Sequence, residues 1–164
     1  MLSIFNLIIK LILFSNTLFV VLYSKDSMFP NEQPYSHIID DIYVGNIFSL
    51  QSDVIDKVDQ VISLVHNPFK DKLLNMKKDV YEILFDDHMD VDIIEYAKQI
   101  FPLLNNGKPT LIHCTAGKSR SVGCVIYYII KRHKMSFEKA YGILNEQRPT
   151  ADLNFGFYCQ FNML

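Results

Sequence analysis

The chain has 164 residues, the usual size of one domain, and 49% of them are hydrophobic, an ordinary fraction for a globular protein. Its net charge of −2 excludes the strongly basic surface that nucleic-acid-binding proteins carry, so we expect no nucleic-acid partner. Three cysteines cannot all pair within one chain, and the sequence contains neither repeats nor a low-complexity linker.

Residues 1–27 form a hydrophobic segment unlike the rest of the chain. Residues 1–23 approach the roughly 20 apolar residues that a membrane-spanning helix requires, so any membrane attachment would run through them. The segment could instead be a signal sequence, or an extension outside the working protein because translation starts at Met28. The sequence leaves these three alternatives open. Residues 28–35 are polar and predict a linker to a domain over residues 36–164.

The first part of that domain alternates short apolar runs with polar connections. Alternating apolar and polar residues around a turn predict strands, whereas apolar residues at helical spacing predict a helix. In chain order, the pattern predicts two short strands within residues 37–46, a short helix over 50–57 and a buried strand over 60–65. A polar connection over 67–79, either a solvated loop or a ragged helix, and a strand over 80–85 follow.

An acidic loop follows, with the sequence Asp-Asp-His-Met-Asp-Val-Asp over residues 86–92. A carboxylic acid held beside a reacting group can deliver a proton to it, and Asp86 and Asp87 are both candidates for that role. The alternative is that the carboxylates cap the next helix and stay in water, which suits Asp92. Apolar residues at helical spacing then predict a helix over residues 93–104.

The chain is organised around residues 110–121, where a strand leads through a loop of small residues into a helix. Residues 110–112 predict a short buried strand, as at the centre of a parallel sheet, and residues 122–130 predict a core helix that is apolar on nearly every side. A helix N-terminus presents unpaired amides and the positive end of a dipole, so the loop can bind an anion. The candidate anion-binding residues are Thr115, Ala116, Gly117, Lys118, Ser119 and Arg120.

The side chains of this loop indicate what it does with the anion. A thiol at a helix N-terminus and beside a cation is more acidic than a free thiol, so we expect Cys114 to be a thiolate nucleophile. The guanidinium of Arg120 suits two oxygens of a phosphate, and Gly117 allows close backbone approach. Ser121 can donate a hydrogen bond to the sulfur. We expect His113 to orient the loop and the thiolate rather than to act as a base.

Other interpretations of the loop are weaker. A nucleotide-binding Walker loop would need glycine where Ile112 stands. A metal site on His113 and Cys114 would need further ligands at zinc-like spacing, which Cys124 and Cys159 do not provide, so we expect neither a metal nor a cofactor. A structural role is a minor alternative for Cys114 and the favoured one for Cys124, which lies one turn into the following helix. A disulfide between these two is less favoured.

The run His-Cys-x-x-Gly-x-Ser-Arg-Ser over residues 113–121 resembles the signature of the cysteine-dependent dual-specificity protein phosphatases, and the similarity extends over about residues 36–161. The resemblance implies a single α/β domain with a central mixed sheet flanked by helices, and a catalytic loop between a central strand and a helix N-terminus. It also implies that Asp87, in the run Asp-Asp-x-x-x-x-Asp-Ile, is the general acid, with Asp86 as the second choice.

The end of the chain predicts two more helices. Ser136 caps the first, and Arg148 and Pro149 end it. The segment that follows is similar to the closing helices of the same phosphatases, with Asn154 and Phe157 where an asparagine and a phenylalanine are usual.

By the same resemblance, the protein is expected to hydrolyse phosphotyrosine, phosphoserine and phosphothreonine through a cysteinyl-phosphate intermediate, with phosphorylated proteins as its partners. Related families act on phosphoinositides or RNA 5′ ends, but the loop has a single lysine, Lys118, and the chain has no basic surface for RNA. A module that binds phosphate without hydrolysing it is the alternative from another class. A thiolate requires a reducing compartment, so we expect an intracellular, cytoplasmic protein. The sequence does not predict the oligomeric state.

Overall fold

The structure, a computed structural model, describes the backbone of residues 7–14 and 17–24 and the whole of residues 32–164. The chain divides into two compact units, residues 1–33 and residues 34–164. Each unit is described by itself below.

The first unit contains two antiparallel strands, β1 (Leu7–Phe14) and β2 (Thr17–Ser24), with Leu7 opposite Ser24. Isoleucine and phenylalanine in β1, and valine, phenylalanine and tyrosine in β2, favour strands. The strands differ from the spanning helix considered for residues 1–23, and none of the helices in the described ranges is long and apolar enough to cross a membrane. The alternative start at Met28 lies outside the described residues.

The second unit is built on a five-stranded mixed sheet with the order β3-β4-β7-β5-β6. The strands β3 and β4 are antiparallel, whereas the remaining neighbours are parallel. This arrangement confirms the expected α/β fold with a central mixed sheet. The five strands are β3 (Tyr35–Ile39), β4 (Ile42–Gly45), β5 (Gln60–Ser63), β6 (Asp79–Glu82) and β7 (Thr110–His113).

Six α-helices and one 3₁₀ turn are described in the second unit. The predicted helix over residues 50–57 is in fact the 3₁₀ turn followed by a single α-helical turn, because the Asn46 side chain accepts a hydrogen bond from Phe48 N (2.9 Å) and starts the turn earlier. The elements are the 3₁₀ turn Ile47–Gln51, α1 (Val54–Lys57), α2 (Lys70–Asn75), α3 (Ile93–Leu104), α4 (Arg120–His133), α5 (Phe137–Gln147) and α6 (Phe155–Asn162).

The helix α2 lies in the predicted polar connection over residues 67–79. It buries only Leu73, so its sequence shows no apolar stripe from which a helix could be predicted. The other helices begin largely as expected: Asp92 caps α3 by accepting from Glu95 N (3.0 Å), and Ser136 caps α5.

The centre of the core lies between β7 and α4. All four residues of β7 are buried, and α4 buries nine consecutive residues from Ser121 to Ile129. Burial of side chains such as Leu111 and Ile112 contributes about 1.5–3 kcal/mol each. The segment between these two elements therefore starts and ends in well-packed structure. Phe157 and Phe161 of α6 are also buried.

Candidate active site

The loop that joins β7 to α4 holds Cys114 at its base. The Cys114 side chain is almost completely buried, and its sulfur receives a hydrogen bond from Gly117 N at 3.2 Å. The hydroxyl of Ser121, in the first turn of α4, lies 3.4 Å from the same sulfur. The predicted strand–loop–helix arrangement is present, and it surrounds the sulfur with hydrogen-bond donors that stabilise a negative charge.

The middle of the loop depends on Gly117. Its φ of +68° is costly for any other residue, and a Cβ there would lie 2.6 Å from Gly45 O. Gly117 O accepts a hydrogen bond from Nε of Arg148 at 2.7 Å, and Arg148 Nη1 donates to Ser36 Oγ at 3.3 Å. A buried arginine thus binds the carbonyl from outside the loop, while the amide of the same glycine faces the sulfur.

The guanidinium of Arg120 is fixed by backbone and side-chain acceptors. Its Nη1 donates to Phe85 O at 2.9 Å, and its Nη2 donates to Thr115 Oγ1 at 3.3 Å. Its Nε is buried without a hydrogen-bond partner among the described residues and lies 3.7 Å from Oδ2 of Asp87. A buried guanidinium N–H without a hydrogen-bond partner beside the loop fits an anion, because a buried donor needs an acceptor.

The carboxylate of Asp87 reaches the edge of the loop. Its Oδ1 accepts hydrogen bonds from Ser119 Oγ (2.7 Å) and from Asn154 Nδ2 (2.6 Å). Ser119 precedes α4 but its side chain makes no capping hydrogen bond to that helix. Its hydroxyl donates to Asp87 instead, so the side chain of Ser119 does not occupy the first amides of α4. Asp86, the second candidate, is exposed like Asp87 and lines a groove that also contains Arg120 and Tyr96.

His113 is buried directly before the cysteine. Its Nε2 lies 2.8 Å from Ser63 Oγ, which also receives a hydrogen bond from Asn67 Nδ2 at 2.9 Å. Because Asn67 donates to this hydroxyl, we assign the Ser63 O–H as donor to Nε2, which leaves the ring proton on Nδ1, 3.4 Å from Cys114 O. Burial lowers the pKa of His113 to about 4. The ring is therefore neutral and held in one orientation at neutral pH.

We expect His113 to make the stability of the protein depend on pH. Between its unfolded pKa of 6.5 and its folded pKa of about 4, only the unfolded chain binds the proton. The free energy of unfolding should therefore rise with pH across this window, by about 3 kcal/mol at most. Denaturant titrations of wild type and His113→Gln at pH 4–7 check this, because the variant should lose that part of the slope. The exposed His88, changed to Gln, is the control and should keep it; equal slopes in all three would contradict the expectation.

The other cysteines differ from Cys114 in their surroundings. Cys124 is buried in α4, where burial raises the pKa of its thiol and disfavours the reactive thiolate. Cys159 is half-buried, and all three cysteines are free. Cys124 thus has the core position expected from the sequence. Among the residues whose side chains are described, no three His, Cys, Asp or Glu side chains are arranged to hold a metal ion.

The structure brings most of the predicted site residues together in one place. The contacts given above link four of them through the loop: Cys114, Ser121, Arg120 and Asp87. His113 lies directly before the loop, with its Nδ1 3.4 Å from Cys114 O. Thr115 is exposed at the loop surface, and Ala116 and Lys118 are half-buried. The sequence interpretation missed the supporting contacts of Arg148, Asn154, Ser63 and Asn67. From the sequence alone, Arg148 before Pro149 cannot be distinguished from an exposed arginine at the end of a helix.

Comparison with protein families matches residues 37–163 to the family described as dual specificity phosphatase, catalytic domain. A protein of Dictyostelium discoideum described as a probable dual specificity protein phosphatase is 31% identical over 130 residues, which cover 76% of this chain and 32% of that protein. Dual specificity protein phosphatase 12 of Mus musculus is 44% identical over 81 residues, covering 47% of this chain and 24% of that protein. The chain therefore spans less than a third of the length of either relative.

Solved structures have the same fold. The Yvh1 phosphatase domain from Chaetomium thermophilum has a TM-score of 0.68 and 23% identity, covering 79% of this chain and 94% of that chain. Human DUSP28 has a TM-score of 0.65 and 16% identity, covering 80% of this chain and 93% of that chain. At these low identities the structural similarity establishes the architecture and nothing further.

Proposed function

Because the chain belongs to the dual specificity phosphatase family, whose catalytic domain matches residues 37–163, we propose that it is a protein phosphatase acting on phosphotyrosine, phosphoserine and phosphothreonine. Residues 36–164 form the catalytic domain in this proposal, and residues 1–27 are a separate N-terminal segment joined by a linker. Phosphorylated proteins are the partners. A thiolate nucleophile needs a reducing compartment, so the activity belongs inside the cell, in the cytoplasm.

The first step of the proposed reaction transfers the phosphoryl group to the cysteine. The loop amides and Arg120 hold the non-bridging oxygens of the phosphate, and the Cys114 thiolate attacks phosphorus. The S–P bond forms while the bond from phosphorus to the substrate oxygen breaks. Asp87, in its protonated form, gives its proton to that oxygen, so the product leaves as a neutral alcohol or phenol.

The second step releases phosphate. Asp87 is now a carboxylate and takes a proton from a water molecule, which attacks phosphorus on the side that the product has left. The S–P bond breaks, and the sulfur leaves as a thiolate. The hydroxyl of Ser121, 3.4 Å from the sulfur, supports this departure by donating a hydrogen bond to it.

One observation carries the proposal: the buried Cys114 sulfur lies at the base of a loop, where an amide and a hydroxyl contact it. The Nε of Arg120, which has no hydrogen-bond partner among the described residues, lies beside the same loop. This combination stabilises negative charge on sulfur and on a bound anion at once. A loop that only bound phosphate would not need the sulfur in this position. The non-catalytic module therefore explains less of the site.

We expect wild-type protein to release phosphate from phosphotyrosine and phosphothreonine peptides in the presence of a chelator. A phosphoinositide and a triphosphate-ended RNA serve as competing substrates, and Cys114→Ser measures contaminating activity. Release from the peptides alone, lost in the variant, supports the proposal. Release confined to the lipid or the RNA would replace proteins with that substrate class, and tight phosphopeptide binding without release would favour the non-catalytic module.

A further inference from the structure

The side chain of Gln160 in α6 makes hydrogen bonds at the end of the acidic loop that carries Asp87. Ile93 N donates a hydrogen bond to Gln160 Oε1 at 3.0 Å, and Gln160 Nε2 donates to Val91 O at 2.9 Å. One side chain thus joins the residues on either side of Asp92, the position at which the loop ends and α3 begins.

The amide of Ile93 has a specific need for this partner. It belongs to the first turn of α3, and the first amides of a helix have no acceptor within the helix. The side chain of Asp92 is already used to cap Glu95 N, and Ile93 itself is buried. Gln160 therefore supplies the acceptor that fixes the start of α3, and with it the end of the acidic loop.

Two further contacts join the same helix to the same loop. A Cβ at Gly156 would lie 2.5 Å from the Met89 Cα, so α6 touches the loop backbone at its middle. Asn154, the cap of α6, donates to Asp87. The contacts of residues 154, 156 and 160 therefore run in order along the loop from Asp87 to its end at α3.

We propose that Gln160 is a positioning residue for the general acid. It holds the acidic loop in one conformation, so that the Asp87 carboxyl stays within proton-transfer reach of the substrate oxygen. This inference rests on the proposed function. Proton transfer requires heavy atoms within about 2.6–3.2 Å, and a misplacement of about 1 Å can cost roughly 100-fold in rate. Loss of the two hydrogen bonds of Gln160 therefore affects the acid without touching the nucleophile.

The test uses aryl phosphates whose phenols differ in acidity. A strongly acidic phenol leaves without a proton, whereas a phenol like that of tyrosine, with a pKa of about 10, needs the general acid. We expect Gln160→Leu to lower kcat for the second substrate by about tenfold or more while changing the first by less than about twofold. Gln160→Glu keeps the acceptor for Ile93 N but loses the donor to Val91 O, so it should give a smaller change in the same direction.

Phe161→Leu is the matched control. Phe161 is buried in the same helix, where its ring stacks on Phe137 at 5.5 Å, and this substitution should lower Tm without changing the ratio of the two rates. An equal loss for both substrates in Gln160→Leu, or no loss, would overturn the inference. If Gln160→Leu does not fold, the ratio of the two rates in Gln160→Glu tests the inference instead.

A double substitution separates this inference from the proposed function. A residue that acts through Asp87 should have little further effect once Asp87 is Asn, so the two substitutions should be strongly non-additive on the slow substrate. Additive losses would overturn the role of Gln160 while leaving the phosphatase proposal intact. The absence of phosphate release by wild type from either aryl phosphate would instead remove the phosphatase proposal itself.

Discussion

Replacing Cys114 by serine is expected to lower phosphate release by about 10⁴-fold or more. A serine hydroxyl stays protonated at neutral pH, and the loop donors that stabilise a thiolate cannot replace the missing charge on the nucleophile. The anion site itself should persist, because its amides and Arg120 are unchanged. Steady-state phosphate release measures the first effect, and equilibrium binding of a phosphotyrosine peptide measures the second.

Cys159→Ser is the control for the change of sulfur to oxygen. Cys159 is half-buried in α6, a different element from the loop, so this variant should keep wild-type turnover. Acid quenching of wild type during turnover should also trap one phosphate on Cys114, detectable by mass. Turnover that survives in Cys114→Ser, or a trapped phosphate on another residue, would contradict the assignment of the nucleophile.

Replacing Asp87 by asparagine is expected to lower turnover of phosphotyrosine and phosphothreonine substrates by about 10²–10⁴-fold. Asparagine has nearly the same shape and can still accept from Ser119 Oγ and Asn154 Nδ2, the groups that now hold the carboxylate. The loop should therefore keep its structure while losing its transferable proton. An aryl phosphate with a strongly acidic phenol should be affected far less, which kcat measurements on the two substrate types will reveal.

Asp86→Asn is the matched control, since Asp86 is the neighbouring carboxylate and is not the one to which Ser119 and Asn154 donate. It should leave the ratio of the two rates unchanged. If Asp86→Asn produced the selective loss and Asp87→Asn did not, the general acid would be Asp86. An equal loss on both substrates in Asp87→Asn would mean that the residue supports the loop and donates no proton.

The loop and the order of the elements around it could be predicted from the sequence because both depend on local patterns. Residues 113–121 carry their chemistry in one run, and the buried strand before them is readable from its apolar residues. The helix over residues 50–57 was predicted wrongly in detail because a side-chain cap, Asn46, selects a 3₁₀ turn that periodicity does not reveal. The sequence left α2 open between a loop and a ragged helix, because this helix buries only one residue.

The supporting contacts of the site could not be predicted because their partners are far apart in the chain. Gln160 meets Val91 across 69 residues, and His113 meets Ser63 across 50 residues. A glutamine in a short helix has no sequence feature that shows whether its side chain binds another segment or stays in water. Such pairs exist only after the sheet and its helices have packed.

The buried Arg148 joins three parts of the chain: its own segment after α5, the loop at Gly117 and the strand β3. Its contacts reach Gly117, 31 residues away, and Ser36, 112 residues away on the edge strand β3. A fragment that carries only residues 113–121 would therefore have the signature sequence without the loop conformation. The peptide unit at Gly117 is held by Arg148, which lies outside that fragment. The proposed activity should therefore depend on Ser36 and Arg148 as well as on residues 113–121, because the signature run alone does not fix the shape of its loop.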